Sequence, residues 1–198
     1  MADAFRKSTL REYFESIVIA VILALFVRTF VFQTFKIPSG SMEDTLLVGD
    51  HLIVDKFGSR PIDRGQVVVF KSPEQPETDL IKRVIGLPGE TVELRGRTVY
   101  IDGQPLTEPY TRFMLSGSVL DEATLGAGSG DVRRSYGPVT VPADHYFMMG
   151  DSRDNSRDSR FWGFMPRTHL RGRALFVYFS LGESLGAMRW GRILHQIQ

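Results

Sequence analysis

The stretch Ala174-Leu175-Phe176-Val177-Tyr178-Phe179 is apolar and aromatic throughout, which is typical of a strand buried on both faces. Val67-Val68-Val69-Phe70 has the same character, and Asp102-Gly103 is typical of a tight hairpin turn. Similar short runs, separated by turn residues, predict strands at 51–57, 66–71, 79–85, 90–94, 97–101, 145–149 and 173–179. Many short strands at this spacing predict a mainly β fold, a barrel or a sandwich.

The composition restricts both the size and the chemistry of the protein. Its 198 residues are enough for one domain-sized core, and 24 Lys and Arg against 23 Asp and Glu give a net charge of +1. This balance gives no reason to expect nucleic acid as a partner. Because cysteine is absent, disulfides, thiolate nucleophiles and cysteine-ligated metals are excluded. The four histidines lack metal-ligand spacing, so we expect no metal.

The N-terminus contains the longest apolar stretch of the chain. Residues 16–35 carry one charge, Arg28, and about 20 helical residues span roughly 30 Å, the thickness of a bilayer core. Basic residues precede the stretch, which predicts a cytoplasmic N-terminus. We therefore expect a single-pass protein of the cytoplasmic membrane, with a cytoplasmic end (1–11), a transmembrane anchor (12–32) and an extracytoplasmic body (33–198). A cleaved signal peptide is disfavoured, because residues 27–32 offer bulky side chains where a cleavage site needs small ones.

Two segments of the body do not follow the strand pattern. The pattern weakens between Pro105 and Tyr136, which predicts an insertion at about 105–136. Its Gly-rich part, 125–130, lacks the Lys-Ser/Thr pair that follows a phosphate loop, so we interpret it as a surface loop. At the C-terminus, residues 185–198 place apolar side chains at roughly helical spacing and predict a short helix.

Three polar segments interrupt the strand pattern: Pro38-Ser39-Gly40-Ser41-Met42, Ile81-Lys82-Arg83-Val84, and residues 150–160. Taken singly, they are typical of a turn, of a lysine that reaches solvent and of a solvated loop. Together they supply what serine hydrolysis without histidine needs, a hydroxyl nucleophile and an amine base. Lys82 has the most apolar setting of any lysine in the body, and desolvation lowers the pKa of an amine. A serine turn packed against the face of the strand that Lys82 occupies would complete the pair.

With these segments in this order, the sequence resembles the type I signal peptidases, membrane-anchored serine proteases that remove signal peptides from exported proteins. The resemblance is carried by the N-terminal apolar stretch and by 38–42, Gly49-Asp50, 79–89, Gly150-Asp151, Trp162-Gly163 and 172–174. It implies a β catalytic body with a small β insertion, and signal peptides of exported preproteins as substrates, cut after a small residue. It also implies a lipid bilayer as a partner, no nucleic acid, no cofactor and a monomeric enzyme. One departure is Asp44, where family members often carry proline, which leaves that turn less rigid.

The resemblance also implies a role for individual residues. Ser41 is the nucleophile and Lys82 is the general base that later protonates the leaving amine. The backbone N–H of Ser41 and the side chain of Ser39 form the oxyanion hole, and Ser156 orients the lysine amine. The supporting ion-pair positions are Arg83, Asp151, Asp158 and Arg160, and the pocket-lining positions are Phe35, Ile37 and Ile81.

Two other functions fit parts of the sequence. A related Ser-Lys maturation protease with a narrow substrate, such as a pilus or conjugation protein, would carry the same pair. A membrane-tethered β binding module that has lost activity would be expected to lack Ser41 or Lys82, and both are present. An autoproteolytic repressor is disfavoured by the apolar N-terminus and by the absence of a DNA-binding helical domain from the sequence.

Overall fold

The structure is a computed structural model, and it describes residues 9–30, 32–56, 61–114, 132–182 and 187–197. The fold in these ranges is mainly β, as the sequence predicts. The helices are α1 (Thr9–Phe30) and the short α2 (Ser159–Trp162). The strands are β1 (Phe32–Lys36), β2 (Asp50–Asp55), β3 (Val67–Lys71), β4 (Asp79–Gly86), β5 (Thr91–Arg95), β6 (Thr98–Ile101), β7 (Gln104–Pro105), β8 (Ser135–Thr140), β9 (His145–Met149), β10 (Met165–Pro166), β11 (Leu170–Ser180) and β12 (His195–Gln196).

The N-terminal helix α1 covers 22 residues and leads directly into β1. Apolar side chains along it, such as Ile17 and Leu23, are exposed, and three charged residues, Arg11, Glu12 and Glu15, lie in its first two turns. Among the described residues no helix combines the length and the apolar character needed to cross a membrane. Of the residues predicted as an anchor, 12–32, those up to Phe30 belong to α1, and Phe32 begins β1.

All seven predicted strands are present, with ends that differ from the prediction by at most three residues. The strand β1 was hidden in the sequence because its residues 32–36 continue the apolar N-terminal stretch. Burial alternates from Gln33 to Lys36, and the strand pairs antiparallel with β2 from Phe32↔Asp55 to Lys36↔His51. Because of this pairing, the chain enters the larger sheet at Phe32, two residues after the last residue of α1.

The larger sheet has the order β1-β2-β11-β3-β4-β9-β10, with β12 added to β11. Its central strands are apolar because both faces are covered, as in β3, where Val67 to Phe70 are all buried. Two of the three core clusters lie against this sheet, one around Ile37, Leu46 and Val54 and one around Phe70 and Met148. The long strand β11 joins them, because it pairs with β2 along one part of its length and with β3 along another.

A second, four-stranded sheet has the order β7-β6-β5-β8. The third core cluster packs against it and includes Val92 of β5 together with Ile85 of β4 and Phe147 of β9. The predicted β insertion, about 105–136, covers only part of this sheet. The strands β5 and β6 precede it in the chain, and β8 begins at its end. Residues 115–131, including the Gly-rich 125–130 segment, lie outside the described residues.

The helix predicted for residues 185–198 is wrong. The described part of this segment forms one 3₁₀ turn, Trp190–Arg192, followed by β12, which pairs with β11 at Val177↔His195 and Phe176↔Gln196. The reason is long-range: the Arg192 guanidinium binds the buried carboxylate of Asp50, with Nη2 and Oδ2 2.6 Å apart, and fixes the turn against the body. Helical spacing of apolar residues in the sequence does not reveal such a contact.

Candidate active site

Ser41 lies in a 3₁₀ turn, Gly40–Met42, that follows β1. The turn is fixed because Ile37, which precedes it, and Met42, its last residue, are buried in the core. Its end is closed by two backbone bonds, from Glu43 N to the Gly40 carbonyl and from Leu46 N to the Met42 carbonyl. The Ser41 side chain is consequently held at the edge of the core, where the residue is 6% exposed.

Lys82 lies in the middle of β4, opposite Val68 of β3. Successive residues of a strand point to opposite faces, so Ile81 packs against the core cluster around Ile37 and Met42 while Lys82 occupies the other face of β4. Lys82 is 4% exposed, and its Nζ lies 2.5 Å from the Oγ of Ser41. The structure thus brings together the two residues that the sequence analysis selected, across 41 positions of chain.

The environment of Lys82 favours its neutral form. Burial lowers the pKa of its amine from 10.5 to about 8, against the attraction of Asp158 and Asp151, which raise it, while Arg160 lowers it further. At pH 8 about half of the amine is therefore neutral and able to accept a proton. An amine in this state, in contact with a hydroxyl, is suited to general-base catalysis.

A buried ion pair lies beside this contact. Arg83 binds Asp151 through two parallel bonds, Nε to Oδ1 at 2.8 Å and Nη2 to Oδ2 at 2.6 Å, and both side chains are 1% exposed. Thr45 Oγ1 donates to the same carboxylate at 2.6 Å. Asp151 is thus bound by the strand of Lys82 and by the loop after Ser41, and it joins the two.

A second buried pair closes the loop that follows β9. Asp158 binds Arg160, with Nε to Oδ1 and Nη2 to Oδ2 both at 2.8 Å, and also accepts the backbone N–H of Gly150 at 3.1 Å. Arg160 Nη2 also donates to the carbonyl of Arg153 at 2.8 Å. These contacts fix residues 150–160 as a rigid wall, and Asp158 supplies the larger attraction on Lys82.

A cavity of about 470 Å³ opens over the pair, and we call it the serine–lysine cavity; its lining includes Ser39, Gly40, Ser41, Leu80, Lys82 and Ser156. Ser39 is exposed at the start of the turn. Ser156 is 4% exposed, and its Oγ has no hydrogen-bond partner among the described residues. The structure therefore gathers Ser39, Ser41, Lys82 and Ser156 around one space.

The three residues predicted to line substrate pockets lie in one place but differ in exposure. Ile37 is 1% exposed and belongs to the core, whereas Phe35 and Ile81 are partly buried and pack against that core. Phe35 and Ile81 pack against the cluster that contains Met42 of the Ser41 turn, but the described lining of the serine–lysine cavity includes neither of them. Their predicted role toward a substrate stays a prediction.

Sequence reasoning gave no role of their own to two residues of the site, Thr45 and Gly150. Thr45 has no signal in the sequence beyond its closeness to Ser41. At Gly150 a Cβ atom would lie 2.5 Å from the Ser41 carbonyl and 2.3 Å from Ser156 Oγ, so only glycine permits this close approach. The adjoining Ser152 N–H donates to the Ser41 carbonyl at 3.2 Å. In the sequence, the available indication of a role for Gly150 is that it directly precedes Asp151, the acidic residue of an ion pair.

Comparison with known proteins gives consistent results. The family described as "Signal peptidase, peptidase S26" matches residues 10–179. A signal peptidase I of Leptolyngbya laminosa is 42% identical over 185 residues, which cover 89% of this chain and 83% of the relative. A signal peptidase I of Bacillus licheniformis is 37% identical over 182 residues, 90% of this chain and 93% of the relative. The crystal structure of a signal peptidase I from Enterococcus faecalis V583 shares 32% identity, covers 58% of this chain and 97% of that chain, and has a TM-score of 0.44.

Proposed function

Because the chain belongs to the signal peptidase family, peptidase S26, we propose that Ser41 and Lys82 hydrolyse the peptide bond at the end of a signal peptide. The relatives identify the chain as a signal peptidase I, a serine peptidase. The observation that supports the assignment of the chemistry to these two residues is the 2.5 Å contact between Lys82 Nζ and Ser41 Oγ. A serine needs such a base, since its hydroxyl is a weak nucleophile until the proton is removed.

In the proposed reaction neutral Lys82 takes the proton of Ser41 Oγ, and the oxygen attacks the carbonyl carbon of the scissile bond. The resulting ammonium then donates that proton to the leaving nitrogen, so the C–N bond breaks and an acyl ester remains on Ser41. A water molecule, deprotonated by Lys82, hydrolyses the ester and restores both side chains. The low pKa of Lys82, about 8, suits it to accepting and returning the proton near neutral pH.

The negative charge on the carbonyl oxygen needs donors in place before the reaction. We assign this role to the backbone N–H of Ser41 and to the hydroxyl of Ser39, since both lie in the turn beside the cavity. Ser156 is assigned to orient the Lys82 amine: its buried hydroxyl lines the same cavity and has no partner elsewhere among the described residues. The pairs Arg83–Asp151 and Asp158–Arg160 hold the walls and take no part in proton transfer.

The proposed substrate is an exported preprotein, cut after a small residue. Phe35 and Ile81 are partly buried beside the turn of Ser41, which suits them to line shallow apolar pockets, with Ile37 packed behind them. Shallow apolar pockets admit a small side chain and exclude a large one. No cofactor or metal takes part in the proposed steps.

We also propose that the protein works at a lipid bilayer, with its body on the extracytoplasmic side, where signal peptides end. The support is α1, whose apolar side chains from Ile17 to Phe26 are largely exposed and which joins β1 a few residues before Ser41. Extraction of cell membranes at alkaline pH tests this proposal. The full chain should stay with the membranes, and a variant that begins at residue 32 should be released; release of both would refute it.

The test of the peptidase function is cleavage of a preprotein that carries an Ala-x-Ala site, with the products identified by mass spectrometry. The purified full chain should cut after the second alanine, and Ser41→Ala should abolish the cut. Ser135→Ala, at an exposed position of β8, is the matched control and should retain full activity. Failure of the folded wild-type chain to cut several such preproteins would contradict the proposal and favour a maturation protease with a narrow substrate or a binding module.

A further inference from the structure

A short segment between the two sheets contacts the walls of the serine–lysine cavity from outside. Residues 108–112 follow β7, and Tyr110 packs against the core cluster of the smaller sheet. The segment does not line the cavity itself. We propose that it is a positioning element of the active site, in which Tyr110 and Arg112 hold the groups that set the geometry of Ser41 and the environment of Lys82. The inference rests on the proposed function.

The first contact is a buried ion pair with the loop after β9. Glu108 accepts two bonds from the guanidinium of Arg153, at 2.5 and 2.9 Å, and the side chains are 5% and 2% exposed. Arg153 Nε also donates to the carbonyl of Gly150 at 3.1 Å. Because burying two charges is costly unless both are well paired, this contact fixes the segment firmly against the cavity wall.

The second contact is made by backbone atoms. Arg112 N donates to the Asp151 carbonyl at 2.8 Å, and Arg153 N donates to the Arg112 carbonyl at 2.9 Å. Between them, Ser152 N donates to the carbonyl of Ser41 at 3.2 Å. The backbones of Arg112, Ser152 and Ser41 are thus connected in series, and a displacement of the segment would be transmitted to the nucleophile.

The third contact ties the segment to the turn after the nucleophile. The Arg112 guanidinium forms an ion pair with Asp44 and lies 3.6 Å from the carboxylate of Glu43. Through Asp44 and Glu43, Arg112 therefore restrains the turn that follows Ser41.

The fourth contact involves the strand of Lys82. The Arg83 guanidinium lies 3.8 Å from the centre of the Tyr110 ring, within the range of a cation–π interaction. Tyr110 OH donates to Glu108 at 3.2 Å, which fixes the ring. Both Tyr110 and Arg83 line a second groove, of about 940 Å³, on the face of β4 away from Lys82. The ring covers the Arg83 guanidinium on the side of this groove and leaves the Arg83 side chain 1% exposed.

This arrangement predicts how Tyr110 affects Lys82 without touching it. If the ring is removed, water from the groove reaches the Arg83–Asp151 pair, and Arg83 neutralises Asp151 less effectively. Asp151 then attracts the Lys82 ammonium more strongly, and the pKa of Lys82 rises. The other charged groups that act on Lys82 or line its cavity are Asp158, Arg160, Arg133, Asp154 and Arg157, and the substitution leaves them in place.

The experiment compares the pH dependence of kcat for Tyr110→Leu, Tyr110→Phe and Tyr100→Leu. Tyr100 is the matched control, because its ring is covered by Arg95, 4.6 Å from its centre, on the smaller sheet. Tyr110→Leu should move the midpoint upward by about one pH unit, which lowers kcat at pH 8 about five-fold and leaves the plateau above pH 10 nearly unchanged. Tyr110→Phe keeps the ring and should largely restore the wild-type profile, and Tyr100→Leu should not alter it.

A second variant tests the contact with the turn and does not depend on the folding of Tyr110→Leu. Arg112→Gln should lower kcat several-fold with little change in KM or in the pH midpoint, while Arg95→Gln, an exposed arginine paired with Glu93, should have no effect. If the wild-type chain cuts preproteins but both test variants behave like their controls, the inference is refuted and the proposed function stands. If the wild-type chain does not cut, the proposed function itself fails.

Discussion

The pH dependence of cleavage follows directly from the burial of Lys82. Its pKa is lowered from 10.5 to about 8 because desolvation penalises the ammonium more than Asp158 and Asp151 favour it. Since the proposed base is the neutral amine, kcat should follow the neutral fraction and rise with pH. The acidic side of the profile is therefore a direct report on the environment of this one side chain.

The magnitude can be worked out from the pKa. With a value of about 8, roughly a tenth of the amine is neutral at pH 7 and about nine tenths at pH 9, so kcat should rise about ten-fold and then level off. An amine with the unperturbed value of 10.5 would be neutral in only about one molecule in 3,000 at pH 7, and its rate would still be rising at pH 10. The two cases are easy to distinguish.

The assay is single-turnover cleavage of a preprotein by excess enzyme between pH 6 and 10.5, which excludes product release from the measured rate. Arg95→Gln, on the smaller sheet, serves as a control for general effects of pH on the fold. A plateau reached near pH 9 is the expected result. A rate that does not change between pH 6 and 10, or one that keeps rising to pH 10.5, would refute the argument that burial prepares Lys82 as a base.

Three further predictions concern stability, measured by urea unfolding. Asp151→Asn leaves Arg83 buried without its carboxylate and should lower the free energy of unfolding by about 3 to 5 kcal/mol; a loss below about 1 would contradict the paired geometry. Lys82→Met should raise that free energy by about 3 kcal/mol at pH 7, because it removes a buried charge, and the gain should shrink as the wild type deprotonates between pH 8 and 10.5; equal stability at all pH values would count against it. Burial raises the pKa of Asp50, but hydrogen bonds from Arg192, Ser180 and the Leu47 backbone outweigh this effect, and the pKa is lowered from 3.8. The contribution of the Asp50 carboxylate to the free energy of unfolding is therefore complete above pH 3.8 and is lost as the pH falls through the lower pKa of the folded state. Arg192→Gln should therefore begin to unfold at a higher pH on acidification, and an unchanged acid transition would refute this role.

Much of the fold was predictable because its signals are local. The runs 67–70 and 174–179 are apolar throughout, and turn residues separate the predicted strands, so the strands could be placed within three residues. Lys82 was also recognisable, since a lysine inside an apolar strand must either reach solvent or lose its charge. The alternation of Ile81 and Lys82 across β4 then decided which face it takes.

The parts that could not be predicted depend on contacts between distant residues. The C-terminal segment has helical spacing, but Arg192 binds Asp50 across 142 positions and the chain forms a 3₁₀ turn and a strand instead. The sequence around Tyr110 does not indicate its proposed positioning role, because that role depends on the contact of its ring with the distant Arg83. The apolar stretch 16–35 predicted a membrane anchor up to residue 32, whereas residues 32–35 belong to β1, which pairs with β2.

The proposed activation of Ser41 by the Lys82 amine can be tested directly, because the chain contains no cysteine. Lys82→Cys places a single thiol at the site, and alkylation with bromoethylamine converts it to a side chain of nearly the length of lysine, with an amine at its end. Cleavage of an Ala-x-Ala preprotein is measured before and after alkylation, with mass spectrometry to establish complete modification. We expect the unmodified variant to be inactive and the modified one to regain a substantial part of the wild-type rate. Full activity without the amine, or none after complete modification of a folded protein, would contradict the account.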